Sequence, residues 1–141
     1  MATAAHSVSV AGAVYDTSSD SFLVIQRRDN NEWQLPGGVL ELDEKIEDGV
    51  IREVLEETGV IVKTLKLTGV YKNMSKGVVA LVFLCEAVSG EPTTSNESKN
   101  VAWMPSSRLQ EMMSEAFSVR LLDAINTETP YVRSNDGVNL V

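Results

Sequence analysis

One stretch of the chain, residues 38–60, constrains the fold and the chemistry more than any other. It reads GVLELDEKIEDGVIREVLEETGV, in which one glycine opens a loop and a helical run follows. Glu53, Glu56 and Glu57 stand at i, i+3 and i+4, so a helix places their carboxylates on one face. Such crowding of like charges indicates either a solvated charged surface or a cation held between the carboxylates. Oxygen-rich clusters of this kind suit Mg2+.

The spacing of the whole stretch separates these two interpretations. Five residues separate Gly38 from Glu44, and seven separate Glu44 from Arg52. The specified positions are Gly38, Glu44, Arg52, Glu53, Val54, Glu56, Glu57, Gly59 and Val60. This pattern resembles the Nudix box and matches it at every specified position. At average residue usage such a match arises by chance, at a given start, on the order of once in a billion.

The resemblance implies a fold and a reaction. The fold is the Nudix-type α/β/α sandwich, a mixed sheet flanked by helices. The reaction is Mg2+-dependent hydrolysis of a pyrophosphate bond in a nucleoside diphosphate linked to another moiety, as in a nucleoside triphosphate or a nucleotide sugar, with Mn2+ as the alternative metal. The competing function is that of a catalytically silent Nudix module that senses a nucleotide.

The resemblance also implies roles for individual residues. The metal ligands would be Gly38, Glu53, Glu56 and Glu57, and the general base would be one of these three glutamates. Arg52 can brace the carboxylates as an ion-pair partner, and Glu44 would act through water or a second metal. Glu97 lies in a later loop from which several family members turn a glutamate toward the metals. It is equally well interpreted as an exposed loop acid.

The segment before the box supplies the candidate substrate contacts. Residues 33–38 read WQLPGG, a short strand into a tight turn, where Gly37 and Gly38 let the backbone approach a ligand closely. Arg27 and Arg28 precede this segment and could bind a substrate phosphate bidentately, or form surface salt bridges instead. Because neighbours on a strand face opposite sides, at most one of the two arginines should point inward.

Local patterns predict the remaining elements. Strands are expected at residues 7–15 and 22–25, which form a hairpin, and at 61–71, 78–88 and 101–104. The helix within the box is expected to begin with Asp43 as its N-cap and to end at Gly59. Apolar residues at helical spacing, Phe117 among them, predict a C-terminal helical part that packs in the core. We expect one domain over residues 1–141, with a core of about 8–125 and a tail, 129–141, that packs on the body or is mobile.

Composition bounds the partners and the compartment. A formal charge of −8 argues against binding of nucleic acid through a general positive field, so the expected partner is a small nucleotide. No apolar run approaches the roughly 20 residues that span a bilayer, and no signal peptide is visible at the N-terminus. Cys85 is the only cysteine, so no internal disulfide is possible, which suits a reducing, cytoplasmic environment; the residue is expected in the core. A homodimer is compatible with the sequence.

Overall fold

A mixed sheet of eight strands dominates the computed structural model, which describes residues 3–141. The strands are β1 (Ser7–Asp16), β2 (Ser21–Arg27), β3 (Trp33–Gln34), β4 (Gly37–Val39), β5 (Ile61–Asn73), β6 (Val78–Ser89), β7 (Ser98–Pro105) and β8 (Tyr131–Asn135). The helices are α1 (Ile46–Thr58), α2 (Leu109–Met112), which a 3-10 turn (Ser106–Arg108) precedes, and α3 (Glu115–Ala124). None of these helices is long and apolar enough to cross a membrane. The predicted strands and the predicted helix of the box are present.

The strand order places β1 in the interior of the sheet. Along the main path the order is β3-β2-β1-β6-β5-β8, with β4 paired to β1 and β7 paired to β2. The first hairpin, β1 with β2, is antiparallel as predicted, whereas β1 and β6 run parallel. The prediction of a mixed sheet flanked by helices is therefore confirmed.

Both faces of the sheet are buried, and β1 shows this most clearly. Val10 and Val14 pack in the cluster that contains Val54 of α1. Ala11 packs in the opposite cluster with Leu121 of α3. Successive strand residues point to opposite faces, so a strand covered by helices on both sides needs apolar residues at every position. The sequence of β1, SVSVAGAVYD, meets that requirement over its central part.

Helix α1 starts later than the sequence predicts and ends where it predicts. Its N-cap position is Lys45, which makes no side-chain capping bond, so the prediction of Asp43 as the N-cap is wrong. The reason is that Glu44 accepts a hydrogen bond from the backbone N–H of Glu41, which holds the preceding residues in a turn. Gly59 ends the helix with a φ of 78°, the left-handed conformation that favours glycine.

The C-terminal tail is part of the sheet. Strand β8 pairs in parallel with β5, from Gly69 opposite Tyr131 to Asn73 opposite Asn135. Two bonds from Arg133 to Asp123 of α3, at 2.8 and 2.9 Å, hold the strand on the helix. Of the two alternatives that the sequence left open for the tail, packing on the body is the one observed.

Candidate active site

Glu57, in the last turn of α1, has its carboxylate buried against the glycine turn. The residue is 4% exposed, and its Oε1 accepts a hydrogen bond of 2.6 Å from the backbone N–H of Gly37. Burial raises the pKa of Glu57 to about 7, against the lowering effect of this bond, and the charges of Glu53 and Glu97 raise it further. Within residues 3–141, no lysine or arginine forms an ion pair with this carboxylate. A buried, unpaired acid of this kind suits a cation as its partner.

Glu53 lies one turn earlier and faces Gly38. Its side chain is 12% exposed, and its Oε1 accepts a bond of 2.7 Å from Nη1 of Arg52. Burial raises the pKa of Glu53, although Arg52 acts in the opposite direction. A Cβ atom added to Gly38 would lie 2.6 Å from Cδ of Glu53. Glycine at this position therefore leaves the space that the carboxylate occupies.

Arg52 links Glu44, near the start of the box, to the carboxylates of Glu53 and Glu56 in α1. Its Nε and Nη2 donate to the two carboxylate oxygens of Glu44 at 2.9 and 2.6 Å, and Nη2 also donates to the carbonyl of Val39 at 3.2 Å. Nη1 reaches Glu53, and also Glu56 at 3.3 Å. Hydrogen bonding by Arg52 lowers the pKa of Glu44 to about 2. Glu44 thus contacts Arg52, the residue that also bonds to Glu53 and Glu56.

Glu97 comes close to the box glutamates, as the sequence allowed. The charge of Glu97 contributes to the raised pKa values of both Glu53 and Glu57. Glu56, whose side chain is 58% exposed, lies at the rim of the same region. A cavity of about 200 Å3 is lined by Glu56, Glu57, Ser95, Asn96 and Glu97. The later loop therefore forms one wall of the site.

The two arginines of the β2 end differ in their surroundings. Arg27 is half-buried, forms two bonds to Asp29 at 2.9 and 2.7 Å, and lines a cavity of about 160 Å3 that Gly37 and Gly38 also line. Arg28 is exposed, and its Nε donates to the carbonyl of Ser95, in the loop that carries Glu97. Arg27 thus lies at the cleft, and a direct substrate contact by either arginine stays a prediction.

The donor set fits a hard divalent cation that keeps part of its water shell. No three His, Cys, Asp or Glu side chains in residues 3–141 form a ready-made metal cage. Mg2+ typically takes one or two carboxylates and completes its shell with water and substrate phosphates. Glu53 and Glu57 provide such a pair beside Gly38, and Glu56 lies further out. Metal binding by these four residues remains a prediction.

A second cavity adjoins this region and was not predicted from the sequence; residues at the end of β2, in α3 and in the C-terminal tail line it. A cavity of about 550 Å3 shares Arg27, Gln34 and Phe117 with the small cavity and extends to Asn73, Lys76 and residues 136–138. Phe117 packs against the core as predicted but also lines both cavities. Arg120 of α3 lines the small cavity. Arg120, which stands among the apolar residues Phe117, Val119, Leu121 and Leu122 of α3, was the available signal.

Comparison with known proteins identifies the family. A family model described as NUDIX domain matches residues 5–125. The chain belongs to the Nudix family, and the prediction of a Nudix-type enzyme is confirmed at that level.

Relatives and solved structures agree with this assignment. A MutT-like protein of Streptomyces ambofaciens is 52% identical over 136 residues, which cover 96% of this chain and 88% of that protein. An ADP-ribose pyrophosphatase of Methanocaldococcus jannaschii is 31% identical over 66% of this chain and 60% of its own length. The crystal structure of a NUDIX hydrolase from Nitrosomonas europaea has a TM-score of 0.80 at 18% identity, over 95% of this chain and 82% of that one. The last match confirms the predicted fold.

Proposed function

We propose that the protein hydrolyses a pyrophosphate bond in a nucleoside diphosphate linked to another moiety, in a reaction that depends on Mg2+. The observation that carries the proposal is the pair Glu53 and Glu57, two shielded carboxylates with raised pKa values set against Gly37 and Gly38. Ionisation of such shielded acids becomes favourable when a cation binds beside them and a phosphate chain covers the site.

The reaction needs charge neutralisation and in-line positioning more than covalent chemistry. Water attacks one phosphorus of the pyrophosphate, the bridging P–O bond breaks, and the proton of the water passes to a carboxylate of the site. We assign the general base to one of Glu53, Glu56 and Glu57, with Glu97 at the same cavity as a further acceptor. Bound Mg2+ would polarise the phosphate oxygens and lower the pKa of the attacking water.

The remaining box residues position these groups. Arg52 holds Glu53 through Nη1 and is itself fixed by the two bonds to Glu44. This arrangement limits the conformations of Glu53 and keeps its second oxygen free for a metal. We infer that Glu44 acts through Arg52, and a role through water or a second metal stays a prediction.

The named relatives support the same class of bond. The relative from Methanocaldococcus jannaschii is named an ADP-ribose pyrophosphatase, and ADP-ribose is a nucleoside diphosphate linked to a sugar. We propose a small nucleotide of this general class as the substrate, not a nucleic acid, since the chain carries a net charge of −8. We place the enzyme in the cytoplasm because its one cysteine, Cys85, is free and buried. A homodimer is compatible with this function.

The alternative is a module that binds a nucleotide without cleaving it. All glutamates of the box are present, and Arg52 bonds to three of them, Glu44, Glu53 and Glu56, which favours catalysis. The test is incubation with Mg2+ in 18O-labelled water and a panel of nucleoside triphosphates, nucleotide sugars, ADP-ribose and dinucleoside polyphosphates. We expect turnover of at least one compound, abolished by EDTA, with one label atom in a phosphate product. Tight binding of a panel member with no turnover of any would favour the sensor.

A further inference from the structure

Arg120 of α3 is buried and points its guanidinium between aromatic rings. It is 8% exposed, and its Cζ lies 4.7 Å from the ring centroid of Phe117 and 5.2 Å from that of Tyr71. Its Nε donates to the carbonyl of Ala116, one turn earlier in the same helix, at 2.9 Å. Packing on two rings fixes the orientation of the guanidinium.

The charge of this arginine has no carboxylate partner in the part of the chain that the structure describes. The acid nearest along the helix, Asp123, is taken by Arg133 and by the hydroxyl of Tyr71, each at 2.8 Å. No other hydrogen bond of Arg120 is present among residues 3–141. Burial lowers its pKa to about 10, so it still carries its charge at neutral pH. A buried cation without a partner is costly, and a bound anion would offset that cost.

The cavity that Arg120 lines is next to the box. Gly37 and Gly38 form another part of its wall, together with Arg27. Its volume of about 160 Å3 is below the roughly 300–1,000 Å3 of pockets that enclose a whole drug-sized ligand. It suits a fragment of a substrate, and the fragment adjacent to the glycine turn is the group to be cleaved.

The larger cavity, of about 550 Å3, has a different character. Arg27 is there compensated by Asp29, and Glu32 and Asp136 add negative charge against Lys76. This mixture of donors and acceptors suits the hydroxyl and base edges of an uncharged moiety better than a chain of phosphates. The anion-binding capacity is therefore concentrated at Arg120.

We propose that Arg120 is a substrate-binding residue that receives the non-bridging oxygens of the pyrophosphate group, while the uncharged part of the substrate extends into the larger cavity. A guanidinium binds such oxygens bidentately, which adds orientation to charge. This inference rests on the proposed function for the identity of the anion. It assigns to α3 a contact that lies outside the box.

The test measures binding rather than turnover, with methylenediphosphonate as a non-hydrolysable probe in the presence of Mg2+. Isothermal titration compares the wild type with Arg120→Met, which keeps an apolar stem, and with Arg120→Lys, which keeps the charge without the fork. Arg108→Met, at an exposed arginine before α2, is the matched control. We expect Arg120→Met to bind the probe at least about tenfold more weakly, Arg120→Lys to be intermediate, and the control to match the wild type.

A second readout separates binding from structure. Removal of an unpaired buried charge should leave the melting temperature of Arg120→Met unchanged or raised. A lowered melting temperature with unchanged affinity for the probe would show a structural role only and overturn the proposal. If Arg120→Met does not fold, Arg120→Lys takes its place, and wild-type affinity in that variant would overturn the proposal.

The same titrations distinguish recognition of the pyrophosphate group from recognition of the base, and distinguish failure of this proposal from failure of the proposed hydrolysis. If Arg120 recognised the base instead, the variants would lose affinity for a nucleoside and keep it for methylenediphosphonate, which would contradict the proposal. Absence of probe binding by the wild type would also contradict it. A chain that binds the probe through Arg120 but cleaves no panel compound would support this inference and refute the proposed hydrolysis.

Discussion

Gly37 donates its backbone N–H to the carboxylate of Glu57 across 2.6 Å, and this bond joins β4 to the end of α1. The two residues are 20 positions apart; Gly37 directly precedes the box, and Glu57 lies near its end. A Cβ atom at Gly37 would collide with the backbone carbonyl of Val10. Only glycine therefore lets the backbone at this position approach β1 so closely. The position of the acid thus depends on a glycine that carries no chemistry.

Gly38→Ala should impair catalysis more than folding. The added Cβ would lie 2.6 Å from Cδ of Glu53, the end of a flexible side chain that can swing away. A displacement of about 1 Å in a catalytic group can cost about a hundredfold in rate, and we expect a loss of that order in turnover. Steady-state kinetics and thermal melting provide the measurement. Ser89→Ala, an exposed change at the end of β6, is the control, and a Gly38→Ala enzyme with the turnover of that control would contradict the assignment.

Arg52→Lys should lose activity although the charge is kept. A lysine cannot reproduce the forked contacts to Glu44 and Glu53, so Glu53 is no longer oriented. We expect turnover to fall at least about tenfold and the free energy of unfolding to fall by about 1–3 kcal/mol, measured by urea denaturation. The control, Lys63→Gln, breaks an exposed pair with Glu86 and should change stability by less than about 1 kcal/mol. Unchanged turnover in Arg52→Lys would refute the positioning role.

The Glu44 contact predicts a specific dependence of stability on acid. Its pKa in the folded chain is lowered from the usual 4.5 to about 2, so the contact stabilises the fold fully above about pH 4.5. That contribution is lost as the pH falls from 4.5 toward 2, since protonation then accompanies unfolding. Urea denaturation across this range should show a steeper decline for the wild type than for Glu44→Gln. Parallel curves would contradict the prediction.

Asp123→Asn should loosen the tail. Asp123 is 5% exposed and accepts bonds from Arg133 of β8 and from Tyr71 of β5. Its neutralisation deprives the half-buried Arg133 of its ion-pair partner, which we expect to lower the free energy of unfolding by about 1–3 kcal/mol. Hydrogen exchange should show lost protection in β8. Arg108→Gln, in an exposed pair, serves as the control, and wild-type protection of β8 in Asp123→Asn would count against this anchoring role.

The parts of the fold that the sequence predicted are those encoded locally. The hairpin of β1 and β2 follows from two apolar runs around a polar turn, and the helix of the box from the spacing of its apolar residues. The end of α1 at Gly59 has a local cause in the left-handed conformation. The position of the N-cap was not predicted because it depends on Glu44, which accepts hydrogen bonds from Glu41 and from Arg52. Arg52 lies beyond the first turn of the helix, so the local pattern does not reveal this contact.

The parts that could not be predicted depend on distant pairing. Strand β8 joins β5 in parallel across a long connection, and nothing in its own pattern specifies that partner. Residues 136–138, which follow β8, line the larger cavity together with Arg27 of β2 and Phe117 of α3. Arg120 belongs to no recognisable motif, and its unpaired charge became visible only with the position of Asp123.

The role of the two shielded carboxylates in hydrolysis is measured by the turnover of Glu53→Gln and Glu57→Gln with Mg2+ and the best compound of the substrate panel. Both changes keep the shape of the side chain and remove the charge that the cation and the proton transfer require. Asp48→Asn, an exposed acid of the same helix, is the matched control. We expect a loss of at least about a hundredfold in each glutamate variant and near-wild-type turnover in the control. Near-wild-type turnover in both glutamate variants would contradict it.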